Sequence, residues 1–285
     1  MTAAHARPEM AGLRGFFACG GLWRLLLIAL AYMAIYLGAG WVSGQLGASS
    51  IKAGLLNSAG GVFFGFTLAL IAGAVALIGF LRLMGWFPAL FGRQPVGGSW
   101  WMWLAPLVVA VPVVLRLFGI DYARYGVSVV VLMFLSGLLI GFVEEVLTRG
   151  IAVKMLRDAG HSEWVVAVLS SLVFALLHGS NLLSGMKPMT VALTVLYTFG
   201  FGICMYLTMR ASGSLWLAVV LHGLTDPTLI LATGGVDEVT DGATRNALLT
   251  AAEPFNLAVI ATALILLIFI RGRATGTRPS LNSAR

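Results

Sequence analysis

Residues 127–147 read VSVVVLMFLSGLLIGFVEEVL, an apolar run that carries two adjacent glutamates, Glu144 and Glu145, near its end. A helix needs about 20 apolar residues to cross the roughly 30 Å of hydrocarbon in a bilayer, so this run predicts a membrane-spanning helix. A charged side chain near the bilayer centre costs at least about 2.5–3.5 kcal/mol. We therefore expect both carboxylates to face the protein interior or a wet cavity and to mark a functional site.

The rest of the chain has the same membrane-like composition. Of its 285 residues, 59% are hydrophobic and only 10% are charged, and the mean hydropathy is +0.96. Apolar runs of spanning length occur at 22–42, 61–84, 101–118, 127–147, 164–183, 190–209, 215–232 and 255–270. We predict an all-α membrane protein, a bundle of about eight transmembrane helices.

The net charge of +7 is distributed as the positive-inside rule requires, which argues against a nucleic-acid partner. With a cytosolic N-terminus, thirteen of the eighteen Lys and Arg residues fall on cytosolic segments, and five do not: Lys52, Arg116, Arg124, Lys187 and Arg245. The outer connection at 233–253 is acidic and includes Asp237, Glu238 and Asp241. We predict that both termini are cytosolic and that the protein is a multi-pass component of the cell membrane.

No low-complexity linker divides the chain, so we predict one helical membrane domain at 22–270. A cytosolic segment at 1–21 precedes it, and a basic cytosolic tail at 271–285 follows. The tail contains four arginines and no acidic residue. This composition suits anchoring at lipid headgroups.

The helix that carries the glutamates should extend beyond the bilayer and stop near Asp158 and Gly160, because glycine suits a helix C-terminus. Ser162 then caps the following helix. Glu144 lies sixteen residues before Gly160 and His178 lies eighteen residues after it. At about 1.5 Å of rise per residue, the two side chains reach the same depth within roughly 3 Å. The hairpin therefore predicts a carboxylate and an imidazole at one level, with the histidine as partner or proton shuttle.

Two further side chains support this arrangement. Glu145 and Arg149 lie four residues apart on one helical face, a spacing that favours an ion pair and leaves Glu144 as the freer carboxylate. Phe174 lies one turn before His178 and should brace its ring. The alternative is that both glutamates only hold helices together through ion pairs, although a second buried acid is costly for that purpose.

Glycines on the same helix predict close packing. Gly137 and Gly141 have the Gly-xxx-Gly spacing at which transmembrane helices approach each other. Gly141 also lies three residues before Glu144 on the same face. We expect it to leave room there for water or a substrate backbone.

A later apolar run carries His222 and Asp226 four residues apart. Two glutamates, two histidines and an aspartate from three helices suit hydrolysis, in which a base activates water and donors stabilise an oxyanion. Zinc accepts the same ligand types, although the spacing is not His-Glu-x-x-His. Buried ionisable residues also occur in proton-coupled transporters, but no internal repeat of the kind common in transporters is visible.

Three short motifs stand in order on successive apolar helices: EExxxR at 144–149, FxxxH at 174–178 and HxxxD at 222–226. This ordered set resembles the CAAX protease and bacteriocin-processing family, also called the type II CAAX prenyl endopeptidase or ABI family. The resemblance covers roughly residues 125–232. It implies an intramembrane endopeptidase of about eight helices that cleaves a membrane-associated protein or peptide, either lipidated and CAAX-like or transmembrane.

The resemblance also implies roles for individual residues. Glu144 would activate water with assistance from His178, while His222 and Asp226 would take the oxyanion-stabilising places. The prenyl endopeptidases carry asparagine where this chain has Asp226, and an ionised carboxylate would repel an oxyanion. Asp226 is therefore either protonated by burial or orients His222.

No cofactor is expected under the glutamate-protease interpretation of the family. The older metalloprotease interpretation would require zinc or another divalent metal, and Glu144, His178 and His222 would then be its ligands. The lipid bilayer and a membrane-associated substrate are the expected partners, with the site open toward the cytosolic half of the bilayer. The alternatives are a proton-coupled transporter and a catalytically silent scaffold or immunity protein.

Overall fold

The computed structural model describes residues 12–235 and 246–274. Helices account for 82% of these residues, which contain no strand. The prediction of an all-α protein is therefore confirmed. Residues 1–11, the acidic residues Asp237, Glu238 and Asp241, and the tail from 275 onward lie outside the described residues.

Eight helices in the described part of the chain are long and apolar enough to cross a membrane, as predicted. They are α1 (Leu22–Leu46), α2 (Ala59–Met84), α3 (Trp100–Gly119), α4 (Val127–Asp158), α5 (Glu163–Ser184), α6 (Pro188–Ser212), α7 (Leu215–Thr233) and α8 (Ala247–Leu267). Shorter helices lie at Leu13–Ala18, Ala48–Lys52, Phe87–Phe91 and Tyr122–Arg124.

The last span begins earlier than its apolar run indicates. The run predicts a helix at 255–270, whereas α8 consists of two pieces, Ala247–Ala252 and Phe255–Leu267. Asn246 caps the first piece by accepting hydrogen bonds from the backbone of Leu248 and Leu249. This polar start, rather than hydropathy, determines where the helix begins.

The helical hairpin of α4 and α5 forms where the sequence predicts it. α4 ends at Asp158, and Gly160 adopts a left-handed conformation with φ of 81°. The Ser162 hydroxyl then accepts a hydrogen bond from the backbone of Val165 at the start of α5. This turn helps to position Glu144 on α4 and His178 on α5, because it fixes the distance of each residue along its helix from the hairpin turn.

A buried ionic cluster around Glu163 stabilises the end of the hairpin next to the turn. Glu163 accepts two hydrogen bonds from Arg157, at 2.9 and 2.7 Å. Arg210 from α6 lies 3.2 Å from the same carboxylate, and the hydroxyl of Tyr206 donates to it. The cluster joins α4, α5 and α6 in one fixed arrangement, because a buried charge is stable only with its partners in place.

The most extensive helix contact in the described residues is between α4 and α7. A Cβ on Gly137 would meet the carbonyl of Gly223 and the ring of Pro227, and a Cβ on Gly141 would meet the carbonyl of Val219. The predicted close packing is therefore confirmed. The expectation that Gly141 leaves room for water or substrate is wrong, because the backbone of α7 fills that space.

Two of the spanning helices contain turns of π-helix, at Phe63–Thr67 in α2 and Val146–Ile151 in α4. Thr67 in the first turn and Ser136 on α4 share a 2.7 Å hydrogen bond between hydroxyls. This polar contact ties α2 to α4 inside the apolar core. α6 and α7 have the largest shares of buried residues among the described spans, whereas α1 and α8 have the smallest shares, as helices at the edge of a bundle would.

Candidate active site

The two glutamates stand where α4 changes its helical geometry. Glu145 is the last residue of the α-helical part, and the π-helical turn Val146–Ile151 follows directly. Such turns are rare and occur often at functional sites. The side chain of Glu145 is completely buried, whereas that of Glu144 is 24% exposed. Of the two carboxylates, Glu144 is therefore the one that water or a substrate reaches.

Glu145 has partners on two helices. One of its oxygens lies 3.2 Å from Nε of Arg149, the pair that the four-residue spacing predicts. The other lies 2.7 Å from Nδ1 of His222 on α7. An ionised carboxylate only accepts hydrogen bonds, so Nδ1 carries a proton and donates it. Glu145 thereby fixes the orientation of the His222 ring.

Arg149 links the glutamates to α5. Its guanidinium lies over the ring of Phe174, 4.4 Å from the centroid, and donates a hydrogen bond to the hydroxyl of Thr148. A cation over an aromatic face is attracted by the ring quadrupole, more strongly where water is excluded. Arg149 is 1% exposed, so it offsets the charge of Glu145 in the interior.

The second nitrogen of His222 faces the two partly exposed carboxylates. Nε2 lies 3.5 Å from Oε2 of Glu144 and 3.8 Å from Oδ2 of Asp226. The ring is 2% exposed and is held edge-on by Phe174 and by Phe201, with centroids 5.7 and 4.9 Å away. His222 thus contacts the buried carboxylate of Glu145 through Nδ1 and faces the open side of the site, where Glu144 and Asp226 are partly exposed, through Nε2.

His178 approaches from the end of α5, where the helix tightens into a 3-10 turn at His178–Ser184. Its Nδ1 lies 3.1 Å from the carbonyl of Phe174, and its ring packs edge-on against the Phe174 ring at 4.9 Å. A carbonyl only accepts, so Nδ1 donates and Nε2 keeps a lone pair in the neutral ring. Among the described residues, no ion pair joins His178 to Glu144, whose carboxylate faces His222 instead.

Residues 126–228 match the model of the family described as Rce1-like, type II CAAX prenyl endopeptidase Rce1-like. This segment is similar to the Rce1-like family. Comparison with curated proteins gave no match. The family assignment and the eight spans together support an integral, multi-pass membrane protein with CAAX-type protease activity toward a membrane-associated protein.

The Rce1-like segment contains every site residue that the sequence motifs indicate. The structure gathers these side chains around the junction of α4, α5 and α7: Glu144, Glu145, Arg149, Phe174, His178, His222 and Asp226. Their assembly follows from the hairpin turn and from the glycine contact between α4 and α7.

The Rce1-like site also includes aromatic residues that no motif marks. Phe201 on α6 supports the ring of His222. Tyr32 and Tyr36 on α1 stack with their centroids 6.2 Å apart and lie within electrostatic range of Glu144. The sequence contains a signal for this pair, because two tyrosines four residues apart in a largely aliphatic run lie on the same face of a helix. Phe201 is one of sixteen phenylalanines, and nothing in the sequence singles it out.

A metal ion does not fit the arrangement of the donors. Within residues 12–235 and 246–274, no three His, Cys, Asp or Glu side chains are placed to hold one ion. The conditional ligand set Glu144, His178 and His222 therefore does not converge on one point. Zinc would require ligand atoms at about 2.0–2.2 Å from a common centre.

Proposed function

We propose that this protein is a glutamate-type intramembrane endopeptidase in which Glu144 activates water for attack on a peptide bond. One observation carries the proposal. Of two adjacent carboxylates, Glu145 is sealed by Arg149 and His222, whereas Glu144 is partly exposed beside the open nitrogen of His222. A general base must reach its water while its neighbours hold it in place.

The chemical steps follow from the atoms that face the open side. Glu144 accepts a proton from water, and the hydroxide attacks the carbonyl carbon of the scissile bond. His178 assists, because the lone pair of its Nε2 accepts a hydrogen bond from the same water. Glu144 then gives its proton to the departing amide nitrogen as the carbon–nitrogen bond breaks.

His222 supplies the donor for the oxyanion. Its Nδ1–H is committed to Glu145, so Nε2 donates only when the ring is doubly protonated. The carboxylates of Glu145, Glu144 and Asp226 around the ring favour that positive form by charge. A fixed cationic donor in a site shielded from water stabilises developing negative charge strongly. Asp226 acts through His222 by orienting it.

The substrate we propose is a membrane-associated protein or peptide with a lipidated, CAAX-like terminus or a transmembrane segment. Both termini of the enzyme lie in the cytosol, and the site opens toward the cytosolic half of the cell membrane. This orientation rests on the distribution of Lys and Arg. No metal ion takes part in the proposed steps.

Terminal-peptide mass spectrometry on membrane fractions tests this function. Cells would carry the intact protein, Glu144→Gln, His178→Ala or Asp158→Asn at matched abundance. Asp158→Asn removes one negative charge from an exposed residue outside the site and serves as the control. We expect new peptide termini with the intact protein and the control, and a loss of at least about 100-fold in the two site variants.

Identical profiles from all four proteins would contradict the protease function. In that case, flux driven by a pH gradient in proteoliposomes would support a transporter. Termini present with both intact protein and Glu144→Gln but absent with His178→Ala would remove Glu144 from its proposed role.

A further inference from the structure

An aromatic groove lies between α2, α4 and α7, outside the candidate active site. Its volume is about 700 Å³, and it is open along one side. Ligand sites commonly have volumes of about 300–1,000 Å³ and apolar walls with a few polar groups. The lining residues come from three spans and from the segment around the short helix Phe87–Phe91: Ile78, Arg82, Phe87, Pro88, Phe91, Gly92, Phe142 and Trp216.

Four aromatic rings in the groove pack as one group around Phe91. The ring of Phe91 stacks with the rings of Phe87 and Phe142, with centroids 5.9 and 6.3 Å away. The ring of Trp216 lies 4.9 Å from it on another side and is 50% exposed. Large apolar side chains exposed together mark a surface that contacts lipid or another apolar partner. This part of the groove therefore suits a hydrocarbon chain.

The groove begins at the end of the spanning helices and extends into their apolar length. Arg82 lies in the last turn of α2, which ends at Met84, and Trp216 is the second residue of α7. Ile78 lies one turn farther inside α2, about 6 Å deeper than Arg82 at 1.5 Å of rise per residue. A phospholipid of the surrounding leaflet has its headgroup at the first level and its acyl chains at the second.

The mouth of the groove is positively charged. Arg82 is exposed, and its side chain has no ion pair or hydrogen bond with any residue that the structure describes. The side chain of Arg93 lies beside the turn before α7, where a Cβ on Gly213 would be 3.9 Å from its Cγ. The lining residues all belong to the described part of the chain, and none is acidic. Guanidinium groups bind phosphate oxygens through two parallel hydrogen bonds, and basic pockets between transmembrane helices bind anionic headgroups.

The groove is separate from the catalytic atoms. Phe142 and Glu144 lie two residues apart in the α-helical part of α4, so their side chains leave the helix about 200° apart. Glu144 faces His222, whereas Phe142 faces Phe91. A chain bound in the groove lies across α4 from the catalytic carboxylate. This placement favours a lipid of the surrounding leaflet over the lipid chain of a substrate.

We propose that this groove binds an anionic phospholipid, with the phosphate on Arg82 and an acyl chain along the aromatic rings of Phe91, Phe142 and Trp216. The site is independent of the proposed function, because it needs no peptide substrate. A lipid in the groove contacts α2, α4 and α7 together. Because a ligand that binds only the folded state stabilises it, the lipid should stabilise the close contact of α4 with α7.

Native mass spectrometry of the full-length protein, released from detergent micelles, tests the site by titration. The probes are phosphatidylglycerol, phosphatidylcholine with the same acyl chains, and glycerol 3-phosphate as a headgroup without chains. We expect the lowest Kd for phosphatidylglycerol and no binding of glycerol 3-phosphate at the same concentrations. Arg82→Gln should raise the Kd of phosphatidylglycerol about tenfold, because it removes a charged hydrogen-bond donor. Arg82→Lys should lose less, since it keeps the charge.

Two further variants separate the headgroup contact from general effects. Arg14→Gln removes the same charge from an exposed arginine just before α1, at the same end of the bundle, and should bind phosphatidylglycerol as the intact protein does. Trp216→Leu should weaken both phospholipids alike, because the ring contacts the chain. Equal Kd values for the intact protein and Arg82→Gln, or equal losses in Arg82→Gln and Arg14→Gln, overturn the proposal. So does tight binding of glycerol 3-phosphate, which would indicate a site for free phosphate.

Thermal unfolding in the same micelles provides a second readout. Without lipid, Arg82→Gln should have the Tm of the intact protein, because Arg82 has no partner within the described residues to lose. Phosphatidylglycerol should raise the Tm of the intact protein and of Arg14→Gln, but not that of Arg82→Gln. An equal rise in all three overturns the proposal.

Competition with a peptide that carries a farnesylated cysteine identifies the occupant. We expect the peptide to leave bound phosphatidylglycerol in place. Displacement of the phospholipid by the peptide would assign the groove to a substrate and overturn the proposal. If the terminal-peptide experiment shows no proteolysis, the proposed function fails, while the lipid titrations still decide whether the groove binds phospholipid.

Discussion

His222 Nδ1 lies 2.7 Å from a carboxylate oxygen of Glu145, although the two residues are 77 positions apart in the chain. This bond joins α4 to α7 at the centre of the site. It assigns the second glutamate of the pair a task different from that of the first: Glu145 orients an imidazole, and Glu144 faces the open side.

Glu145→Gln should impair catalysis by releasing the His222 ring. A glutamine amide supplies one oxygen acceptor but no charge to support a doubly protonated imidazole. A hydrogen bond to a charged group contributes about 1.5–3 kcal/mol, so we expect kcat to fall by about 10–100-fold. The measurement uses an internally quenched peptide that carries a farnesylated cysteine near its C-terminus. Asp158→Asn is the matched control. A Glu145→Gln protein with unchanged kcat would show that the bond to His222 does not matter for turnover.

Arg149→Met should destabilise the fold more than a surface change does. It removes the cation from Glu145 and the charge from the face of Phe174. Breaking a buried pair by deleting one partner costs about 3–5 kcal/mol, so Tm in detergent should drop by many degrees. Arg149→Lys should lose less, since it keeps the charge but not the planar contact. Equal Tm values for Met and Lys variants would contradict a role for the charge.

Gly141→Ala should push α4 and α7 apart. The new methyl group would meet the backbone of Val219 and Gly223 rather than a flexible side chain, and overpacking of this kind costs about 1–3 kcal/mol or more. Gly79→Ala on α2 is the control, because its Cβ meets nothing within 4 Å. We expect lower Tm and lower activity for the first variant only. Equal effects at the two glycines would argue against the close contact.

Glu163→Gln should loosen the hairpin far from the catalytic atoms. It leaves Arg157 and Arg210 buried without their shared carboxylate, at a cost of about 3–5 kcal/mol. The exposed pair of Lys154 and Asp158 provides the comparison, since exposed pairs contribute about 0–1 kcal/mol. The measurement is Tm for Glu163→Gln against Asp158→Asn. Similar small shifts in both would mean that the cluster does not stabilise the hairpin.

Treatment with a chelator should leave cleavage within about twofold of the untreated rate, because the donor side chains do not converge on one ion at zinc bond lengths. The assay compares the quenched peptide before and after dialysis against EDTA, with zinc added back. Loss of activity on dialysis and its return with zinc would replace the glutamate-type mechanism with a metal-dependent one.

The sequence predicts the parts of this site that depend on neighbours in the chain. Gly160 and Ser162 define the hairpin, and the spacing of Glu145 and Arg149 defines their ion pair, because each is a local relationship on a known helix geometry. The bond between His222 and Glu145 is different. It depends on how α4 and α7 rotate about their axes, and helices that are apolar on every side carry little information about that rotation.

The π-helical turn Val146–Ile151 divides α4 into two α-helical segments and changes the rotation of one segment about the helix axis relative to the other. One residue corresponds to about 100° of rotation in a regular helix. Winding the same residues as a regular α-helix would swing either the glutamates away from His222 or Arg157 away from Glu163. The π-helical turn therefore sets the rotation of one part of α4 relative to the other. With this rotation, Gly137 and Gly141 pack against α7 at one end of the helix, and Arg157 reaches Glu163 at the other.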